Sequence, residues 1–326
     1  MIAARSHEGG DFGDASTGHR ERSGGHRDDV EAPGGHGERV GGCAVTAADG
    51  AVVVGIDGSP ESERALDWAA DEAALRDATL HLVYAFAPLA AFKGAGLPVL
   101  RDTYSEFAGA GRRLLEEASA MVGGRVAVTT DMLEEPPVRA LLELSGRARM
   151  IVLGAVGAGG FVGMLAGSTA VSVSAHARCP VVIVRGSRRP GPVVVGVDGS
   201  QAGARAIAAA FDEAAWRKAT LVAVHAVQDR EFLGTSRPDQ AREAGQAVLA
   251  ESLAGWQEKY PDVRVERVIV PGRPRHQLLD HSERAQLVVT GSRGRGGFAG
   301  LVLGSTSQAL IHHADCPVMV VPGERT

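Results

Sequence analysis

A glycine-rich segment that occurs twice constrains the fold of this chain more than any other feature. The first copy covers residues 154–169 and the second covers 291–306, and both follow the spacing Gly-x2-Gly-x9-Gly-Ser. The offset between them is 291 − 154 = 137, and a Cys-Pro pair further along repeats at the same offset, 316 − 179 = 137. Duplication of so long a spacing indicates two related domains, each built around the same loop.

Each copy follows a short apolar run and precedes a segment with helical periodicity. The backbone N–H groups of such a loop, together with the unpaired donors and the dipole at the start of the next helix, form a site for an anion. Arg293 and Arg295 in the second copy strengthen the interpretation that the anion is a phosphate. A flexible surface loop is the alternative for one isolated copy, and the duplication argues against it.

Short apolar strands alternate with amphipathic helices in both halves of the chain. In the first half the predicted strands lie near residues 51–57, 79–86, 125–130, 150–153 and 181–184, and the helices near 60–76, 100–122, 138–147 and 168–177. In the second half the strands lie near 193–198, 220–227, 263–270 and 287–290, and helices near 239–260 and 274–284. This alternation predicts an α/β fold with parallel sheets and helices on both faces.

The predicted fold class is therefore two tandem doubly wound, Rossmann-like domains of five parallel strands each. Asp57 and Asp198 end the first strand of each half, at an offset of 198 − 57 = 141, and the glycine-rich loops end the fourth strand. In such sheets ligands bind at the carboxyl ends of the strands, near the switch in strand order. The aspartates and the loops meet there only if strands one and four are neighbours, as in the order 3-2-1-4-5.

The domain boundaries follow from composition. Residues 1–50 contain few aliphatic side chains and are predicted to be a disordered tail, residues 51–185 and 193–323 are the two domains, and residues 186–192 are a polar linker. The tail histidines are spaced irregularly, which favours a solvated tail over a metal tract; they are His7, His19, His26 and His36.

Charge and hydropathy exclude several classes of protein. A net charge of −5 and a pI near 6.1 argue against binding of nucleic acid. No apolar run approaches the ~20 residues that span a bilayer, and the N-terminus lacks the apolar core of a signal peptide, so we expect a cytoplasmic protein without membrane contact. Cys179 and Cys316 begin equivalent apolar runs, which favours buried thiols over a disulfide.

Other nucleotide motifs and enzymatic constellations do not fit. A Walker A loop needs lysine after glycine, and none of the lysines, Lys93, Lys218 and Lys259, follows one. A partial dinucleotide fingerprint begins at Gly294, but it follows the fourth strand and not the first. Neither half has a Ser/His/Asp order or a His/Cys metal spacing near its loop, so no catalytic residue and no metal ligand is assigned.

The combination of Val-Val-Gly-Val-Asp-Gly-Ser, the glycine-rich loop and Cys-Pro-Val-x-Val-Val resembles the universal stress protein family in its tandem, ATP-binding form. The resemblance covers residues 51 to 322 and implies ATP, arriving with Mg²⁺, as the ligand. It also implies association through the last strands, as a homodimer or as a pseudo-dimer of the two halves. The downstream protein partner is not indicated.

The resemblance and the flanking motif residues define the predicted nucleotide-binding set. In the first half it consists of Gly55, Asp57, Ser59, Ala85, Gly154, Gly157, Gly160, Gly167, Ser168 and Thr169. In the second half it consists of Gly196, Asp198, Ser200, Ala226, Gly291, Ser292, Arg293, Gly294, Arg295, Gly297, Gly304, Ser305 and Thr306. The aspartates and the two alanines would contact the adenosine, and the loops would hold ribose and phosphates. Ser59 and Ser200 have helix capping as an equal alternative.

The two loops differ in charge. Ala155, Val156 and Ala158 stand where the second loop has Ser292, Arg293 and Arg295. Both sites are therefore predicted to bind nucleotide, the second more tightly. The leading interpretation is a regulatory ATP-binding protein of the stress response. Slow ATP hydrolysis or phosphoryl transfer, with Asp57 or Asp198 holding the metal, and a nucleotide-free dimeric scaffold stay open as alternatives.

Overall fold

The computed structural model describes residues 49–87, 97–158, 166–186, 189–227, 238–295 and 303–323. The predicted disordered tail over residues 1–50 lies, except for its last two residues, outside these ranges. Gly160 and Gly297, two of the predicted site residues, also lie outside them.

In both repeats the described strands alternate with helices. The first repeat contains β1 (Val52–Gly55), α1 (Pro60–Leu75), β2 (Leu80–Ala85), α2 (Leu97–Val122), β3 (Val128–Leu133), α3 (Pro137–Leu144), β4 (Met150–Gly154), α4 (Ser168–His176) and β5 (Val181–Val184). The second contains β6 (Val193–Gly196), α5 (Gln201–Trp216), β7 (Leu221–Val227), α6 (Pro238–Ser252), α7 (Trp256–Lys259), β8 (Val265–Pro271), α8 (Pro274–Ser282), β9 (Leu287–Gly291), α9 (Ser305–His313) and β10 (Val318–Val321).

The strands form one continuous ten-stranded sheet in the order β3-β2-β1-β4-β5-β10-β9-β6-β7-β8. Each repeat has the predicted order 3-2-1-4-5, so the fold prediction is confirmed, and β1 lies beside β4 as the site requires. The repeats join where β5 and β10 pair antiparallel, with Met319 opposite Val182. Association between two chains stays a prediction.

Alternate residues of each strand face two hydrophobic cores, one on each side of the sheet. Val52 and Val54 of β1 face the core beneath α1, α2, α5 and α6, whereas Val53 faces the core beneath α3, α4, α8 and α9. Each core extends through both repeats and excludes water from the strands. Because the strands are buried on both faces, they read as continuous apolar runs in the sequence.

Two predicted boundaries are wrong, and glycine conformation explains both. The third strand was expected from residue 125, but β3 begins at Val128, because Gly123 and Gly124 have φ of 61° and 74° and form a turn after α2. A single helix was expected over residues 239–260. The chain instead forms α6 and α7, interrupted at Gly255, whose φ of 76° is left-handed.

Helices α1 and α5 carry a buried cluster of charges that links the two repeats. Arg76 donates to Glu72 (2.5 Å), to Glu213 (2.5 Å) and to Asp212 (3.0 Å). Arg217 donates to Glu213 (3.0 Å) and also to Glu72. Arg217 is the equivalent of Arg76 in the second repeat, and Glu213 is the equivalent of Glu72, since 217 − 76 = 141 and 213 − 72 = 141. Each arginine thus contacts a glutamate of its own repeat and one of the other.

This cluster predicts a dependence of stability on pH. Burial, with the negative charge of Glu72, raises the pKa of Glu213 from 4.5 to about 7. Between these values the folded protein retains a proton that the unfolded chain has lost. This stabilisation is complete below pH 4.5 and is lost as the pH rises through 7. At ~1.4 kcal/mol per pKa unit, we expect the contribution of Glu213 to the free energy of unfolding to fall by about 3 kcal/mol.

The measurement is denaturant unfolding of the wild type and of Glu213→Gln at pH values between 5 and 8. The glutamine cannot titrate, so the variant is expected to lose this part of the pH dependence. Parallel pH profiles for the two proteins would contradict the prediction.

Candidate functional site

A cleft of about 270 Å³ opens at the carboxyl ends of the central strands in the first repeat. Nine of the ten residues predicted for this half line it, and the tenth, Gly160, lies outside the described residues; the nine are Gly55, Asp57, Ser59, Ala85, Gly154, Gly157, Gly167, Ser168 and Thr169. The topology brings them together because β1, β2 and β4 are neighbours. The cleft therefore lies where a doubly wound sheet binds ligands.

Sequence reasoning missed the apolar part of this cleft, which Val83, Leu141, Leu153, Val156 and Pro137 line. Val83 lies two residues before Ala85 on β2, and residues at that spacing face the same side of a sheet. Strand periodicity could thus have found Val83. The contribution of α3, by contrast, depends on how that helix packs against the sheet.

The carboxylate of Asp57 ties the glycine-rich loop to the end of β1. Its Oδ1 accepts hydrogen bonds from the backbone N (3.0 Å) and Oγ (2.6 Å) of Ser59. Its Oδ2 accepts from the backbone N of Ala158 (2.9 Å), within the loop that follows β4. The sequence predicted contact between Asp57 and a ligand; this second role in holding the loop was not foreseen.

Asp198 makes the same contacts in the second repeat. Oδ1 accepts from Ser200 N (2.9 Å) and Oγ (2.7 Å), and Oδ2 accepts from Arg295 N (2.8 Å). Burial alone would raise the pKa of Asp198, but the hydrogen bonds from Ser200 and Arg295 and the positive charge of Arg295 outweigh it and lower the pKa. The carboxylate is therefore held in its charged form.

Gly157 and Gly294 are required by these contacts. A Cβ atom at Gly157 would lie 2.5 Å from Oδ2 of Asp57, and one at Gly294 would lie 2.6 Å from Oδ2 of Asp198. No side chain fits at such distances. The second glycine of the motif is thus explained by the aspartate at the end of the first strand.

Ser59 and Ser200 cap helices α1 and α5. Their Oγ atoms accept from the backbone N of Ser62 (3.1 Å) and of Gly203 (3.1 Å). The structure therefore shows both serines as helix caps, one of the two roles predicted for them. Both hydroxyls also bind the neighbouring aspartate, so each serine links a helix start to the site.

Gly167 and Gly304 precede α4 and α9, and neither helix start has a side-chain cap. Their backbone N atoms donate to Ala155 O and Ser292 O (2.7 Å each), which fixes the turn. A Cβ at Gly167 or at Gly304 would meet its neighbours at no less than 3.6 Å and 3.4 Å. The described residues therefore leave room for a side chain at both positions.

In the second repeat several predicted residues have packing roles. A Cβ at Gly196 would lie 2.8 Å from the side chain of Leu278. The hydroxyl of Ser292 is buried and accepts from Gly323 N (3.3 Å), just after β10. Ser307 Oγ donates to Gly291 O (2.6 Å), which holds the loop base.

The remaining predicted residues lie around the loop. Arg293 and Arg295 are exposed, and Nη2 of Arg295 lies 3.4 Å from Gly199 O, beside the turn that contains Asp198. Ala226 lies at the carboxyl end of β7, as Ala85 does on β2. Ser305 and Thr306 form the first turn of α9.

The described residues contain no group of three or more His, Cys, Asp or Glu side chains that could hold a metal ion. Among the same residues, no helix combines the length and apolarity needed to cross a membrane. Cys179 and Cys316 are free and buried, as predicted, and burial raises the pKa of each thiol to about 12.

Comparison with known proteins matches both repeats to one family. The model of the universal stress protein family matches residues 50–185 and again residues 191–322. The chain belongs to the universal stress protein family. Universal stress protein Rv2623 of Mycobacterium tuberculosis is 42% identical over 287 residues, which cover 82% of this chain and 95% of the relative. A universal stress protein of Mycolicibacterium smegmatis is 40% identical over 292 residues, covering 85% and 98%.

A solved universal stress protein from Archaeoglobus fulgidus shares the fold. Its TM-score is 0.63 at 21% identity, and the match covers 84% of this chain and 96% of that one. The family match to both repeats, the two relatives and the fold of this solved structure therefore confirm the tandem architecture inferred from the repeated loop.

Proposed function

We propose that each repeat of this universal stress protein binds ATP with Mg²⁺, and that occupancy regulates a response to stress. The observation that carries the proposal is the uncapped start of α4 and of α9, each beside a loop that an aspartate holds in place. Unpaired N–H groups and the positive end of a helix dipole favour a phosphate at that position.

The cleft of the first repeat suits the other parts of the nucleotide. Val83, Ala85 and Leu141 supply an apolar wall for the adenine, and Asp57 stands at the strand end where the ribose would lie. Oδ2 of Asp57 accepts one hydrogen bond, from Ala158, so its second lone pair leaves Asp57 able to accept from a ribose hydroxyl. The phosphates would then extend to Ser168 and Thr169.

Regulation fits this site better than rapid turnover. The aspartate beside each cleft already accepts hydrogen bonds from the protein at both oxygens, which does not favour a role as general base. Mg²⁺ commonly binds through substrate phosphates with few protein ligands. ATP turnover that is lost in Asp198→Asn while ATP binding is kept would support the alternative of slow hydrolysis.

Mass spectrometry of the small molecules released on denaturing the purified protein tests the proposal, together with isothermal titration of the nucleotide-free protein. We expect an adenine nucleotide in the released fraction and two binding events for Mg-ATP, the tighter one in the second repeat. Purification without nucleotide and no heat of binding would favour the scaffold alternative. Two equal sites, or a tighter first site, would contradict the predicted order.

A further inference from the structure

The two candidate sites share their backbone donors but differ in the charge around them. The first loop, residues 154–169, contains no charged side chain, whereas the second, residues 291–306, contains Arg293 and Arg295. Both arginines are exposed, and Arg295 lies over the turn of Asp198, with Nη2 3.4 Å from Gly199 O. Its guanidinium thus lies beside the acidic strand end of the second repeat.

The segments that enter α3 and α8 differ in the same direction. Pro137, the first residue of α3, lines the first cleft, and Glu134 and Glu135 precede it. At the equivalent place in the second repeat, Arg273 is the N-cap residue of α8. Glu135 is paired with Arg139 (3.3 Å) and Glu134 accepts from Tyr104, so the first entry segment offers no free positive charge of its own, whereas the second adds Arg273 to Arg293 and Arg295.

We propose that the two sites respond differently to the number of phosphates on an adenine ligand. The affinity of the second site rises with each further phosphate from AMP to ATP, whereas the affinity of the first site stays nearly constant. The first site thus accepts AMP about as well as ATP. This inference rests on the proposed nucleotide binding and gives each repeat its own ligand preference.

The physical reason is that backbone N–H groups bind the first phosphate, whereas side chains are needed to bind the others. The N–H groups at the start of α4 and of α9 hold one phosphate equally well in both repeats, since their geometry matches. Each further phosphate adds charge. At the second site an arginine of the loop can bind it through a charge-assisted, bidentate contact, whereas the first loop has no charged side chain that could do so.

Exchange of the loop charges tests the inference. Wild type, Arg293→Val/Arg295→Ala and Val156→Arg/Ala158→Arg are titrated with AMP and with ATP, each in Mg²⁺. In the wild type we expect two ATP events that differ at least ~10-fold in Kd, or about 1.4 kcal/mol, and two AMP events within about threefold. Removal of the arginines is expected to bring the Kd values of the two ATP events close to each other. Addition of arginines to the first loop is expected to lower the Kd of the ATP event at the first site.

A matched control removes two arginines elsewhere. Arg264→Ala/Arg267→Ala lowers the net charge equally, near the amino end of β8 and away from the clefts, and is expected to leave both ATP events unchanged. Circular dichroism and thermal unfolding verify that each variant folds.

The outcomes separate the two proposals. Two sites that both tighten from AMP to ATP by the same factor would overturn the charge-based difference and leave nucleotide binding intact. Equal Kd values for the two ATP events in the Arg264→Ala/Arg267→Ala control would also overturn the charge-based difference. The net charge of the protein, and not the position of the arginines, would then be responsible. No binding of any adenine ligand by the folded wild type would refute both.

Discussion

Gly304→Asp is expected to abolish ATP binding at the second repeat without unfolding it. An aspartate before α9 is a good N-cap, and its Cβ would meet Ser292 O at 3.4 Å, an ordinary contact. Its carboxylate would accept hydrogen bonds from the N–H groups that we assign to the phosphate, and its negative charge would repel the nucleotide. Loss of two charge-assisted hydrogen bonds of about 1.5 kcal/mol each weakens ATP binding at least ~100-fold.

Two control variants identify the cause. Gly304→Ala adds the Cβ without the charge or the cap, and Gly167→Asp places the same carboxylate before α4 of the first repeat. Each aspartate variant is expected to remove one of two ATP events in a calorimetric titration, while the melting temperature stays near that of the wild type. If the second-repeat event survives Gly304→Asp unaltered, the assignment of that site is wrong.

Arg76→Met is expected to have the largest effect on stability. Arg76 is almost completely buried between α1 and α5 and contacts Glu72, Glu213 and Asp212. Its removal leaves buried carboxylates with a single arginine, Arg217, and such uncompensated burial costs about 3–5 kcal/mol. Denaturant unfolding at pH 8, above the pKa of about 7 of Glu213, measures this loss as a lower midpoint.

Arg125→Met is the matched control. Arg125 also contacts two aspartates, Asp67 (3.2 Å) and Asp71 (3.1 Å), but its side chain is 40% exposed. Exposed ion pairs contribute about 0–1 kcal/mol, so we expect the control to unfold nearly as the wild type does. Equal midpoints for the two variants would show that the cluster between the repeats contributes no more than surface pairs.

Much of the fold was predictable because its signals are local. Apolar runs and the helical periodicity between them identified the strands in order, and the offset of the loops identified the duplication. The predicted boundaries of helices and strands were wrong where a single backbone angle interrupts the element, as at Gly255. In the site, the motif found the glycines and Asp57, whereas Leu141 reaches the cleft from α3 and carries no signature of its own.

The amino-acid sequence by itself determined two α/β repeats, the strand order within each, and a glycine-rich loop beside an acidic strand end. Only the tertiary structure decided that β5 and β10 pair antiparallel, that Asp57 and Asp198 bind the loop amides, and that Arg76 reaches Glu213 across the repeats. The reason is distance along the chain. Periodicity records how a residue meets near neighbours, whereas partners about 100 residues or more apart meet only after helices and sheet have packed.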